Sequence, residues 1–130
     1  MRDNRSQGPT DLSCGNRRCT FLQSGQHRKS RSRDTPGEFS ILLSHTPEVY
    51  RQAAHANFDL MLSGHTHGGQ ICLPGSIPIK LEVVLPRRMG ARPWQYSDMT
   101  GYTSVGAGSS VVPVRLNCPP EITLHHLRGG

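Results

Sequence analysis

The chain has 130 residues, a formal net charge of +6, and 34% hydrophobic against 18% charged residues. That length leaves room for one domain. No apolar run approaches a transmembrane helix and no apolar h-region is visible near Met1, so a location in the cytoplasm or at the membrane periphery is expected.

The charge is uneven. Residues 1–38 carry eight Lys+Arg against four Asp+Glu, and residues 39–130 carry seven against five. The first segment holds six hydrophobic residues, Met1, Leu12, Cys14, Cys19, Phe21 and Leu22. They bury too little apolar surface to offset the entropy of ordering it, so a disordered basic extension is expected over 1–38. Its run "HRKSRSR" (27–33) can touch nucleic acid or an anionic surface, although a merely solvated extension, or a mis-started reading frame, has the same composition. Cys14 and Cys19 have the loose spacing of half a zinc finger, but Cys72 and Cys118 are far apart and supply no second pair. Without a secretion signal, reduced thiols are expected.

From "EFSILLSHTPEVYRQ" (38–52) onward the pattern becomes regular. Phe39, Ile41, Leu42 and Leu43 read as a buried strand, with Ser44-His45-Thr46 at its end. Pro47 suits a first helical position, with Thr46 as N-cap and Glu48 favourable near the positive end of the helix. Val49, Tyr50, Ala53 and Ala54 share one helical face, so a helix is expected to about Asn57. The apolar run of "NFDLML" (57–62) is a second short buried strand, closed by Gly64. Strand, helix and strand with this crossover length predict parallel pairing. Both strands then deliver histidines to the same carboxyl edge, where α/β proteins bind ligands.

Those histidines are His45, His65 and His67. In "LSGHTHGGQ" (62–70), extended backbone would aim residues two apart to one side. Neutral imidazole is a common ligand for zinc, iron and related metals, and flanking glycines let backbone approach closely. A polar loop with two exposed histidines is the alternative reading of the motif alone.

Beyond the loop the chain reads as mainly β. Ile77, Ile79, Leu81 and Val83 alternate after a Pro74-Gly75 turn. Residues 87–101 read as a loop whose Trp94 and Tyr96 cover the core or, alternatively, wall a substrate. Strands are expected at 103–105, 111–116 and 121–127. His125 and His126 fall on opposite faces of the last, and His55 lies on the polar side of the helix, so none of the three joins the candidate site.

"ILLSHTPE" followed by "DLMLSGHTHGGQICLPG", with the tail "YTSVGAGSSVVPVRLNCPPEITLHHLR", resembles the calcineurin-like metallophosphoesterases, in particular a bacterial branch carrying Gly-His-Thr-His-Gly-Gly-Gln. The resemblance runs from about Phe39 to Arg128. It implies an α/β fold in which residues 39–130 are the C-terminal portion of a phosphoesterase sandwich, a βαβ unit followed by mainly β structure. It also implies a two-metal hydrolase of phosphate esters or phosphoanhydrides, using manganese, iron or zinc on a phosphorylated small molecule or lipid. His45 and His65 match ligands of one ion, and His67 a ligand of the other. In such sites the metals clamp the phosphoryl group and activate water. The family's Asp-x-His and Gly-Asp motifs do not occur in this sequence, and Arg17 follows Gly15-Asn16 where a histidine would be needed. No bridging carboxylate is therefore expected, and the chain resembles one wall of an active site. The alternatives are a non-catalytic metal-binding remnant and a protein that binds nucleic acid or anionic surfaces through residues 1–38.

Overall fold

A computed structural model describes residues 11–14, 17–20, 39–81 and 83–128. Within the basic segment, β1 (Asp11–Cys14) and β2 (Arg17–Thr20) pair as an antiparallel hairpin. The remainder of the expected disordered extension, and the side chains of the Cys14/Cys19 pair, lie outside the described residues.

The centre is a four-stranded sheet built from β3 (Ile41–Leu43), β4 (Leu60–Ser63), β7 (Arg92–Tyr96) and β8 (Met99–Thr103), in the order β3-β4-β8-β7. β3 runs parallel to β4, with Leu42 opposite Met61, and β4 runs parallel to β8. The crossover between β3 and β4 begins as sequence pattern requires. The Thr46 hydroxyl accepts the Glu48 N–H at 3.1 Å, and Pro47 opens a single 3-10 turn that continues into α1 (Tyr50–His55). The helix ends two residues short of Asn57, which takes a φ of 58°.

Alternation along the parallel pair β3 and β4 gives the sheet two apolar faces. Leu42 and Met61 join Tyr50, Ala53 and Phe58 from the crossover, and Met89, Trp94 and Met99 from the second half. Ile41 and Leu60 face the other way, with Phe39 and Leu62 against them. Tyr50 meets Tyr96 edge-on at 4.8 Å between ring centroids and Trp94 at 6.3 Å, so the helix is keyed to β7 by aromatic contacts.

The second half departs from the sequence reading in three places. Residues 92–103 form a β-hairpin instead of a loop, turning at Ser97-Asp98, where Ser97 has a φ of 50°. Trp94 is buried in the core, which settles its role as core against substrate wall. The alternating run after Pro74-Gly75 forms only β6 (Ile77–Pro78), paired with β5 (Cys72–Leu73). The strands expected at 111–116 and 121–127 form no ladder among the described residues, save one bridge between Ile71 and Leu116, and the first of them bends at its start, where Val111 has a φ of 63°. The physical reason lies in what takes their backbone groups. The carbonyls of Val112 and Val114 accept from the Gln70 side chain, Pro113 has no N–H, and Val111, Ile122 and Leu124 lie exposed.

The last segment is pinned by side chains. Tyr102 on β8 donates its hydroxyl to Glu121 and lies 2.9 Å from the Thr123 hydroxyl, and His125 sits edge-on to its ring at 4.7 Å. The Tyr102 hydrogen bond, then that of Thr123, holds the Glu121 carboxyl below the usual carboxylate range. Burial, then Glu121, raises the Tyr102 phenol. Glu121 therefore stabilises docking above its unfolded pKa of about 4.3, an effect lost as pH falls through the depressed folded value. Tyr102 contributes below about pH 10, and that contribution is lost as pH rises through the raised one. NMR shifts of Thr123 and His125 should move toward unstructured values at both extremes, and Glu121→Gln should remove the acid limb.

Gly101 stands opposite Trp94 across the hairpin, and a Cβ there would lie 2.2–2.3 Å from three indole carbons. Gly101→Ala should destabilise the fold by about 1–3 kcal/mol through overpacking, measured by urea unfolding followed on Trp94 fluorescence.

Candidate metal centre

The parallel pairing of β3 and β4 brings their carboxyl ends side by side. The ladder continues past the strands: Ser44 N–H donates to the Leu62 carbonyl at 2.9 Å, and Gly64 N–H to the His45 carbonyl at 3.2 Å. His45 and His65 are thereby placed with ring centroids 4.5 Å apart, tilted by 55°. Both are exposed.

The path after Gly64 is not the extended one assumed from sequence. His65, His67 and Gln70 have φ of 69°, 49° and 53°, and Gly68 and Gly69 are also left-handed at 62° and 81°. Positive φ in non-glycine residues is uncommon and gathers where surrounding structure enforces it, often at functional sites. Alternation therefore does not apply between His65 and His67. His65 lies beside His45, whereas the Nδ1 of His67 is buried with no hydrogen-bond partner among the described residues. Among the described residues no group of three or more His, Cys, Asp or Glu side chains is arranged to hold a metal ion. A cavity of about 280 Å³ is lined by His65, His67, Gln70 and Lys80, and His45 is not part of its wall.

The strained loop is held from several directions. The Thr66 hydroxyl accepts the Gly68 N–H at 3.2 Å and donates to the Gly90 carbonyl at 2.6 Å. Arg115 donates to the His67 carbonyl at 3.4 Å, and to the carbonyls of Cys118, Val105 and Gly106. Gln70 donates to the carbonyls of Val112 and Val114 and accepts the Ser110 N–H. The thiols of Cys72 and Cys118 both reach the Gly68 carbonyl, at 3.3 and 3.8 Å. Burial first, and then Cys118, raises the Cys72 thiol, and both cysteines are buried beneath the loop.

Sequence reasoning assigned no role to Arg115 or Gln70. The signal for Arg115 was a lone cation inside the apolar run from Val111 to Leu116. Asp59, the nearest acidic residue in sequence to the histidine loop, sits at the other end of β4, where its carboxylate accepts the Ser40 N–H and hydroxyl, both at 2.8 Å.

The donor types suit a divalent ion, since neutral imidazoles ligate such metals and an orphaned buried ring nitrogen is a group in want of a partner. The number is short of what two ions need.

Over its C-terminal two thirds the chain is similar to metallophosphoesterases. An uncharacterized metallophosphoesterase of Bacillus subtilis (strain 168), YkoQ, is 30% identical over 90 residues, which is 68% of this chain and 33% of that protein. A second from the same organism, YkuE, is 37% identical over 69% of this chain and 31% of its own length. The phosphodiesterase YaeI of Escherichia coli (strain K12) is 36% identical over 67% of this chain and 32% of its own. The chain thus spans about a third of the length of these relatives. No protein-family model matches it, and no solved structure matches significantly. Among the described residues no helix is long and apolar enough to cross a membrane.

Gly68 fits its place twice over. Its φ is 62°, and a Cβ would lie 2.8 Å from both Cys118 Sγ and Val105 Cγ1. Gly68→Ala should lower stability by about 2–4 kcal/mol, combining left-handed strain with overpacking, and calorimetric unfolding measures it.

Proposed function

We propose that residues 39–130 form part of a metal-dependent phosphoesterase centre, the C-terminal portion of a phosphoesterase sandwich, in which His45, His65 and His67 are metal ligands. The observation that carries this reading is the parallel β3/β4 pair, which sets His45 and His65 side by side at the carboxyl edge of the sheet. Similarity to proteins named metallophosphoesterase and phosphodiesterase supports the reaction class: hydrolysis of phosphate esters or phosphoanhydrides in a phosphorylated small molecule or lipid.

His45 and His65 would hold one divalent ion, manganese, iron or zinc, and His67 would face a second. When bound, such ions polarise a phosphoryl oxygen and balance charge developing on it. The chain's own contribution is positional. Thr66 and Arg115 fix the loop backbone on either side of His67, and Gln70 closes the segment that walls the cavity. With imidazoles alone the centre is incomplete, because two divalent ions repel one another and need carboxylates between them. The 130-residue chain by itself is then a metal-binding piece with little turnover, and carboxylates supplied by further sequence would complete it.

The expected outcome has two parts. Titration with zinc or manganese should show binding that His65→Ala weakens by about tenfold or more, the loss of one of few ligands. Hydrolysis of bis(p-nitrophenyl) phosphate with manganese should be no faster for the chain than for His65→Ala. Metal affinity unchanged in His65→Ala would overturn the ligand assignment. Robust turnover that depends on His65 would overturn the incomplete-centre reading.

A further inference from the structure

The loop that carries the histidines has two sides. On the side away from His65 and His67 lies a second cavity, of about 300 Å³, whose wall includes Gly68, Cys118 and three arginines, Arg87, Arg88 and Arg92. Two of the arginines belong to the Arg87–Met89 3-10 turn, which is fixed from within. Met89 is fully buried, its carbonyl accepts the Thr103 hydroxyl at 2.7 Å, and its N–H donates to the Pro86 carbonyl at 2.8 Å. The buried methionine anchors the turn while Arg87 and Arg88 stay exposed at the rim. The lining residues include no carboxylate among the described residues, and their apolar part includes Ile77, Pro78, Ala91, Val105 and Pro119. Arg92 lies within electrostatic reach of Glu121, so its charge is partly offset, and Arg87 and Arg88 supply the rest of the positive charge in the lining.

We propose that this cavity binds an organic phosphate ester, with Arg87 and Arg88 holding the phosphate and the apolar wall taking the organic group. Guanidinium pairs suit this role because the planar fork donates two parallel hydrogen bonds to phosphate oxygens. An apolar wall with a few convergent polar groups is the usual make-up of a small-molecule site, and about 300 Å³ is at the small end of such pockets. The site is separate from the histidine cavity, from which the loop backbone divides it, and it does not depend on the chain being a hydrolase.

The test is calorimetric titration of the 130-residue chain with phenyl phosphate and, separately, with inorganic phosphate, without added metal. Near-UV circular dichroism of Trp94 establishes that each variant is folded; Arg87 and Arg88 are exposed, so their glutamine variants retain the core. Phenyl phosphate should bind at least about threefold more tightly than inorganic phosphate, because only the ester buries apolar surface against Ala91 and Val105. The double variant Arg87→Gln, Arg88→Gln should lose about tenfold or more, while His65→Ala should bind as the unaltered chain does. Raising salt should weaken binding, since both arginines are solvent-facing. Absence of binding by the folded chain, equal affinity for the two probes, or loss in His65→Ala with retention in the double arginine variant would each overturn the proposal; the last would place the ligand in the histidine cavity.

Discussion

The Thr103 hydroxyl is the joint on which the arrangement turns. Fully buried at the end of β8, it accepts the Trp94 indole N–H at 2.9 Å, lies 3.1 Å from the Ser63 hydroxyl, and donates to the Met89 carbonyl at 2.7 Å. One side chain thus links the last residue of β4, the core aromatic of β7 and the turn that carries Arg87 and Arg88. A buried hydroxyl network with every member satisfied specifies one geometry, because any displacement strands a polar group in an apolar interior. Ser63 is followed directly by Gly64 and His65. The precision of the histidine loop therefore begins in the core, two residues before the first imidazole.

Above that joint the loop is built under strain. Five of its residues lie in the left-handed region, three of them not glycine. Backbone of this kind persists only when its surroundings over-determine it. Here they do so with Arg115, Thr66 and two buried thiols, which reach main-chain groups of the loop, while the Gln70 side chain ties the loop's end to the carbonyls of Val112 and Val114. In the C-terminal tail Arg115 and Asn117 donate to backbone carbonyls, and the imidazoles stand outside that supporting network. His67 is the extreme case, with a buried ring nitrogen that no described residue satisfies.

The βαβ unit was legible in the sequence because its signals are local. A buried-type run, Thr46-Pro47 at the start of a helix and a second run closed by Gly64 suffice to give the parallel pair and the meeting of His45 with His65. The convergence of His67 rested on extended alternation, and Thr66 together with the Gly68-Gly69 pair bends the chain away from it. The hairpin at 92–103 was hidden because Pro93 and Gly101 weaken strand signals; Gly101 is there to admit the Trp94 ring, a reason visible only across the pair. The tail failed in the opposite sense. Its valines have strand propensity, but their carbonyls are taken by a glutamine more than 40 residues earlier, at separations of 42 and 44.

Those separations bear on the order of events as the chain acquires its structure. β3 and β4 lie close in sequence and can pair early, since short loops close at little entropic cost. The histidine loop gains its anchors only when residues 110–118 return to it, across 42 residues for Gln70 and 48 for Arg115. Contacts of such range slow folding because their loop-closure entropy precedes any reward. The pairing that brings His45 to His65 needs only a short crossover to close, whereas the conformation around His67 depends on the return of residues 110–118.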